Sequence, residues 1–105
     1  MKPDKRWRPD VVKFWREIHQ RYDLTRDAEE ILRVGCISLN VYLMAADAVH
    51  DVGIIFTADS GQVKRNPAVA VMKDSGANFL RAMTLLGIDV DTPDKKGPGR
   101  PTRRV

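Results

Sequence analysis

The segment between Thr25 and Gly53 constrains the fold more than any other part of this sequence. It contains no proline and one internal glycine, Gly35, and its apolar residues recur at helical spacing. Thr25 is a suitable N-cap, because its hydroxyl can accept a hydrogen bond from the first turn, and the acidic residues that follow suit the positive end of the helix dipole. A helix over residues 26–52 would be about 40 Å long. The sequence therefore predicts one long helix around which a 105-residue chain is arranged.

Too much of this helix is apolar for one partner helix to cover. One apolar stripe runs from Ile31 to Val49 and a second from Leu32 to Ala46. Either the chain wraps the helix by itself, or one face packs against a neighbouring subunit. We favour the second interpretation, because a chain of this length has few other helices or strands with which to cover the long helix. The candidate oligomer-interface residues, on the second and third helices, are Leu32, Leu39, Tyr42, Leu43, Met72, Phe79 and Met83.

A shorter helix precedes the long one. Pro9 and Asp10 suit a first helical turn, and apolar residues then recur at helical spacing to about residue 22. Trp15 lies on the apolar side of this helix and is predicted to be a core residue. Trp7 lies outside that side, in the basic run KRWR, and we assign it to an interface with another subunit.

A third helix begins at the strongest start signal in the sequence. Asn66 is a good cap, Pro67 suits the first helical position, and Gly87 is the expected terminator. Residues 53–65, between the second and third helices, hold a short β-type run and a turn signal, which predict a small hairpin or an extended loop.

The predicted fold class is all-α. A short N-terminal helix precedes a long central helix and a third helix, and these last two form an antiparallel hairpin with a short β-like loop between them. Residues 1–8 are then a basic N-terminal arm and residues 9–88 the helical domain. Residues 89–105 are predicted to be an acidic linker followed by a flexible, disordered basic tail.

Charge divides the chain into basic ends and an acidic middle. Residues 1–26 carry eight Lys and Arg against four Asp and Glu, residues 27–94 carry five against ten, and residues 95–105 carry five against none. Clustered Lys and Arg supply most of the sequence-independent affinity of proteins for nucleic acid, although basic ends also keep proteins in solution. The candidate DNA-binding residues are Lys5, Arg6, Arg8, Lys13, Arg16, Arg21, Lys95, Lys96, Arg100, Arg103 and Arg104.

Two short basic stretches carry more specific expectations. Residues 99–101, Gly-Arg-Pro, resemble an AT-hook, a motif that lies extended in the minor groove of A·T-rich DNA. Lys64 and Arg65 are basic residues in the acidic middle of the chain. We expect them to pair with Asp47 or Asp51, whose charges are unfavourable at the C-terminal end of the long helix.

No residue pattern points to catalysis or to a bound cofactor. The sequence has no Gly-rich phosphate loop, no histidines at metal-ligand spacing and no nucleophile with a base nearby. Cys36, the single cysteine, has apolar neighbours and is expected to be a buried, reduced thiol. No signal peptide and no uninterrupted apolar run long enough to span a membrane are found. We therefore expect a soluble, non-enzymatic protein with no metal, no cofactor and no membrane partner.

Four short motifs follow one another along the chain: WREI at residues 15–18, LTRD at 24–27, VKRNPAV at 63–69 and LLGI at 85–88. Their order and spacing resemble those of the small terminase subunits of tailed phages, in particular lambda-like siphoviruses. The resemblance covers about residues 9–88. The chain departs from the pattern after Ile88, where acidic residues intervene before the basic tail.

This resemblance implies a mostly helical protein that assembles into a homo-oligomeric ring. It implies binding to the packaging site of viral double-stranded DNA and delivery of that DNA to a large terminase subunit, which carries the ATPase and nuclease. The location it implies is the cytoplasm of the bacterial host during virion assembly. A small helical DNA-binding regulator, or an antitoxin-like adaptor whose partner is a protein, remains the alternative.

Overall fold

The computed structural model describes residues 2–88. In chain order they form α1 (Pro9–Arg21), α2 (Arg26–Val52), β1 (Ile55–Thr57), β2 (Val63–Arg65) and α3 (Ala68–Leu86). The prediction of a mostly helical fold, with a short β-like element before the last helix, is confirmed.

The ends of α2 are fixed by local hydrogen bonds. The Thr25 hydroxyl accepts a hydrogen bond from the backbone N–H of Ala28 at 3.1 Å, which satisfies one of the free donors of the first turn. At the other end, the N–H of Gly53 donates to the carbonyl of Val49, and Gly53 has a φ of 100°, which L-residues rarely adopt. The cap and the terminator therefore lie where the sequence predicted them.

The start of α3 depends on the Asn66 side chain. Its Oδ1 accepts a hydrogen bond from the N–H of Ala68 at 3.0 Å, and Pro67 already has helical torsion angles. The Nδ2 of the same side chain donates to the carbonyl of Gly53 at 2.8 Å and makes a longer contact with the carbonyl of Ala48 at 3.4 Å. One buried amide thus caps α3 and ties its start to the end of α2.

Helices α2 and α3 pack as an antiparallel pair. Gly35 in the first half of α2 faces Met83 near the end of α3, whereas Tyr42 further along α2 faces Gly76 nearer the start of α3. A Cβ atom added at Gly35 would lie 3.0 Å from the Met83 methyl, and one at Gly76 would lie 3.1 Å from the Tyr42 ring. At both glycines the facing helix therefore leaves little room for a side chain.

Helix α1 and the arm before it complete the core. Val11, Trp15 and Ile18 are the buried side of α1, and Phe14 packs edge-to-face on Phe79 of α3 with ring centroids 5.7 Å apart. The fully buried side chains at the centre come from α1, α2 and α3, and are Val11, Leu32, Cys36 and Met83.

The prediction that Trp7 lies at an interface between subunits is wrong, because Trp7 is buried inside this chain. It is 7% exposed and packs edge-to-face on Trp15 with ring centroids 5.6 Å apart. The reason is a turn that the sequence did not reveal. The Asp4 carboxylate accepts from the N–H of Arg6 at 2.8 Å, and the N–H of Trp7 donates to the Asp4 carbonyl, so the arm folds back onto α1.

Leu32 and Met83 also have to be removed from the candidate oligomer interface. They are 0% and 1% exposed, because they fill the space between the three helices of the described chain. A side chain with no accessible surface cannot contact a neighbouring subunit. The other five candidates are half-buried, and Leu39, Leu43 and Phe79 pack against the same core.

The strands β1 and β2 pair as an antiparallel hairpin in the register Ile55 to Arg65, Phe56 to Lys64 and Thr57 to Val63. The expected pairing of Lys64 and Arg65 with Asp47 or Asp51 is wrong. Both cations are exposed on β2, and within residues 2–88 the partner of Asp47 is Arg8. Arg8 of the N-terminal arm occupies the position beside Asp47 that was expected for Lys64 or Arg65, and no sequence pattern indicates this long-range contact.

Helix α2 has the length and composition of a membrane-spanning helix. An 18-residue segment of it is apolar enough to cross a membrane, and 22% of that segment is buried in the described chain. The core helix of a soluble protein passes the same test, so this finding is weak evidence for a membrane.

Candidate nucleic-acid interface

The outer side of α1 is cationic. Lys13, Arg16 and Gln20 follow one another at steps of three and four residues, so they lie on one face of the helix, and all three are exposed. The opposite face buries Val11 and Trp15. Because α1 is anchored through its apolar side, its basic side is held outward in a fixed orientation.

The N-terminal arm adds a further cation to this surface. A shallow open depression between the arm and α1 is lined by Lys5, Trp7, Pro9, Val12, Lys13, Arg16, Glu17 and Gln20. Within residues 2–88, Lys5, Lys13 and Arg16 make no ion pair. No carboxylate of the described chain lies within ion-pair distance of these three charges, so they are available to an anionic ligand. We call these three residues the α1 basic face.

Arg6, which is also one of the predicted DNA-binding residues, has a different environment. Its guanidinium binds the Asp4 carboxylate through two hydrogen bonds of 2.9 and 3.1 Å. The side-chain hydrogen bond from Arg6 lowers the pKa of Asp4 from its ordinary 3.8 to about 2. The Arg6 side chain remains 89% exposed, so this ion pair is solvated and contributes little to stability.

Arg8 attaches the arm to the long helix. Its guanidinium hydrogen-bonds to the carboxylates of Asp47 and Asp10, and its backbone N–H donates to Oδ1 of Asn40 at 2.9 Å. Hydrogen bonding to Asp47 raises the pKa of Arg8. A phosphate would have to displace two carboxylates to bind here, which distinguishes Arg8 from the α1 basic face.

Three polar residues one heptad apart on α2 receive the arm. Arg33 lies over the rings of Trp7 and Trp15, 5.5 and 5.2 Å from their centroids. Asn40 and Asp47 bind Arg8 as described, so the positions 33, 40 and 47 form a polar track along one edge of the helix. This track fixes the path of residues 2–8 and with it the position of Lys5 beside α1.

His19 joins α1 to α2. Its Nδ1 lies 2.9 Å from the Trp15 carbonyl and must donate to it, while Nε2 lies 2.9 Å from the Glu29 carboxylate. The hydrogen bond from His19 lowers the pKa of Glu29. The sequence offered no sign of this contact, because the two residues lie on different helices.

Neither Cys36 nor the acidic and histidine side chains of the described residues form a reactive or metal-binding group. Burial raises the pKa of the Cys36 thiol to about 12, so it is not a reactive nucleophile. In residues 2–88 no group of three or more His, Cys, Asp or Glu side chains is placed to hold a metal ion.

Two groups of predicted DNA-binding residues stand apart from the α1 basic face. Arg21 is exposed at the C-terminal end of α1. The tail residues Lys95, Lys96, Arg100, Arg103 and Arg104 lie outside the described residues. The structure therefore brings together Lys5, Lys13 and Arg16 and assigns Arg6 and Arg8 carboxylate partners within the chain.

Comparison with known proteins supplies the family. Neither the curated proteins nor the solved structures contain a match to this chain. The family model for the phage terminase small subunit matches residues 12–95, which is most of the 105-residue chain and covers α2, α3 and all but the first three residues of α1. The chain therefore belongs to the phage terminase small-subunit family.

Proposed function

We propose that this chain is the non-catalytic, DNA-recognising component of a viral DNA-packaging motor. In this role it binds the packaging site of viral double-stranded DNA and recruits or regulates the large ATPase-nuclease subunit. It acts as a homo-oligomeric ring in the cytoplasm of the host bacterium. Membership of the small-subunit family supports the packaging role.

The α1 basic face is the observation that supports DNA contact most directly. Lys5, Lys13 and Arg16 lie together, are exposed, and make no ion pair in the described chain. Binding of such cations to backbone phosphates releases counterions from the DNA, so affinity falls as salt rises. The expected contact is to phosphates, and it positions the protein without reading the base sequence.

The test measures DNA affinity by fluorescence anisotropy across a salt series. Replacement of Lys13 and Arg16 by Ala should reduce the slope of log affinity against log salt by about 2 for each subunit that contacts DNA. Lys64→Ala with Arg65→Ala is the matched control, because it removes one lysine and one arginine from another exposed surface. The control should leave the slope unchanged.

Two results would contradict this assignment. An equal loss in both double variants would mean that only net charge matters, and unchanged binding by the Lys13 and Arg16 variant would place DNA contact elsewhere. Removal of residues 95–105 tests the tail separately. It should lower the affinity for DNA and reduce the slope against log salt by an amount set by the number of phosphates that the tail contacts. No DNA binding by the intact chain would refute the proposed function.

A further inference from the structure

Helix α2 has three faces, and residues 2–88 cover only two of them. Helix α3 packs on the face that includes Gly35 and Tyr42, and α1 with the arm packs on the face that includes Leu32 and Asn40. The third face carries Val34, Ile37, Val41 and Met44, which are 57%, 48%, 38% and 58% exposed. We call these four residues the open face of α2. An exposed apolar face of this kind marks an interaction site on a protein surface.

The open face has the spacing of a helix-packing seam. Its members follow one another at steps of three, four and three residues, which is the spacing of the a and d positions of a heptad. No charged residue lies between Arg33 and Asp47. The rest of the chain cannot supply a matching partner, because the only large apolar residues in 89–105 are Val90 and Val105.

The charges at the two ends of α2 indicate which partner fits. Arg26 is the first residue of the helix and Asp51 lies in its last turn, and both are exposed. They are 25 residues apart, close to seven helical turns, so they lie on the same edge of α2. Each charge opposes the helix dipole, and neither makes an ion pair within residues 2–88.

We propose that the open face of α2 packs against the same face of a second copy of this chain, with the two helices antiparallel. Ile37 of one copy then lies beside Val41 of the other, and Val34 lies beside Met44. The same register places Arg26 of each copy near Asp51 of the other, which compensates two charges that are unfavourable within one chain. A parallel arrangement would instead bring like charges together at both ends.

This inference rests on the self-assembly included in the proposed function, and it identifies the surface and the orientation. A symmetric contact of this kind closes on itself, so it generates pairs of subunits. A ring would be built from such pairs through a different surface.

The first experiment measures self-association of the full chain by sedimentation velocity. Ile37→Asp introduces a carboxylate twice into the symmetric contact, so the dissociation constant should rise by about a hundredfold or more. Val63→Asp is the matched control, because Val63 is 63% exposed on β2 and lies outside the open face. It should leave association unchanged, and circular dichroism should show native helix content in both variants.

The second experiment tests the antiparallel orientation by charge reversal. Arg26→Asp and Asp51→Arg should each weaken association several-fold, and the double variant should restore it, because each pair is then re-formed with its signs exchanged. Both single substitutions place a favourable charge at the helix terminus they occupy. Loss of association therefore cannot be attributed to a weakened fold.

Each other outcome overturns the inference. A chain that stays monomeric at micromolar concentration, or whose association is indifferent to Ile37→Asp, does not use this face. Single charge reversals that the double variant fails to rescue exclude the antiparallel pair. Flotation of the chain with vesicles of phosphatidylcholine and phosphatidylglycerol, abolished by Ile37→Asp, would make lipid the occupant.

DNA binding separates this inference from the proposed function. A chain that binds DNA with its full salt dependence but never pairs refutes the inference alone. A chain that pairs through the open face but binds no DNA refutes the proposed function alone.

Discussion

Asn66 joins the two long helices through one buried side chain, and its replacement is the sharpest test of the fold. Its Oδ1 accepts from the N–H of Ala68 at 3.0 Å and its Nδ2 donates to the carbonyl of Gly53 at 2.8 Å. The residue is 7% exposed, so water cannot freely replace these contacts. Asn66→Ala removes both contacts at once.

The expected loss follows from these two contacts. Removal of the helix cap destabilises by about 1 kcal/mol. Loss of the donor to the Gly53 carbonyl adds about 1 kcal/mol. The total of about 2 kcal/mol lowers the midpoint of thermal unfolding by about 10 °C in a domain of this size. Asn66→Ser keeps a cap acceptor but cannot reach Gly53, so it should lose only about half as much.

Asn66→Asp adds a pH dependence that reports on the contact with the Gly53 carbonyl. The carboxylate keeps the cap acceptor but faces the Gly53 carbonyl oxygen where an N–H donor was, which raises its pKa in the folded state. A group with a raised pKa stabilises the fold below its unfolded pKa of about 4, and that stability is lost as the pH rises through the folded pKa. This variant should therefore be closest to wild type in acid and weakest at neutral pH.

The assay is urea unfolding followed by tryptophan fluorescence, with each variant compared with wild type at the same pH. Trp7 and Trp15 both report on the core, so one probe follows the whole described fold. Wild-type stability in the Asn66→Ala and Asn66→Ser variants would show that the bridge to Gly53 contributes nothing. An Asn66→Asp variant that is more stable than Asn66→Ala at neutral pH would show that the negative charge at the helix start outweighs the lost donor.

Three further predictions concern the packing of the arm and the helices. Trp7→Ala should lower the free energy of unfolding by about 3 kcal/mol in urea titrations, through lost burial and the lost contact with Trp15; no change would mean that the arm does not stabilise the core. Gly35→Ala should destabilise the fold by about 1 kcal/mol, because the new Cβ would meet Ala82 and the fully buried Met83. Gly76→Ala should be neutral or slightly stabilising, because its Cβ meets the half-buried Tyr42 ring, which can shift. Thermal unfolding of both variants checks the contrast. The hydrogen bond from His19 lowers the pKa of Glu29, so the stability that Glu29 contributes is present above its ordinary pKa of 4.5 and is lost as the pH falls through the lower folded value. Glu29→Gln should therefore be less stable than wild type at neutral pH, and the difference should shrink in acid. A difference that is constant with pH would exclude the charged contact.

Much of the candidate site depends on contacts that no sequence pattern reports. The amphipathic pattern of α1 predicted its basic side, and Lys13 and Arg16 are exposed there. The pairing of Arg8 with Asp47 joins residues 39 positions apart, and neither periodicity nor spacing can anticipate it. The burial of Trp7 could not be anticipated either. Sequence reasoning placed Trp7 at an interface because it does not fall on the apolar side of α1.

The interface candidates show a related limit. The sequence indicated correctly that α2 is apolar on more sides than one partner helix covers. It could not indicate which side stays uncovered, because all the stripes look alike until α1 and α3 occupy two of them. Leu32 and Met83 are in the core, while Val34, Ile37, Val41 and Met44 remain exposed.

The sequence by itself determined where α2 and α3 begin and end, because caps, prolines and terminal glycines act through hydrogen bonds and torsion angles within a few residues. Thr25, Gly53, Asn66 and Gly87 all lie at the helix ends that their residue types predict. The tertiary structure alone decided which charges are neutralised and which apolar faces are covered. Those properties depend on the distance between groups far apart in the chain, and that distance is set only when the helices pack.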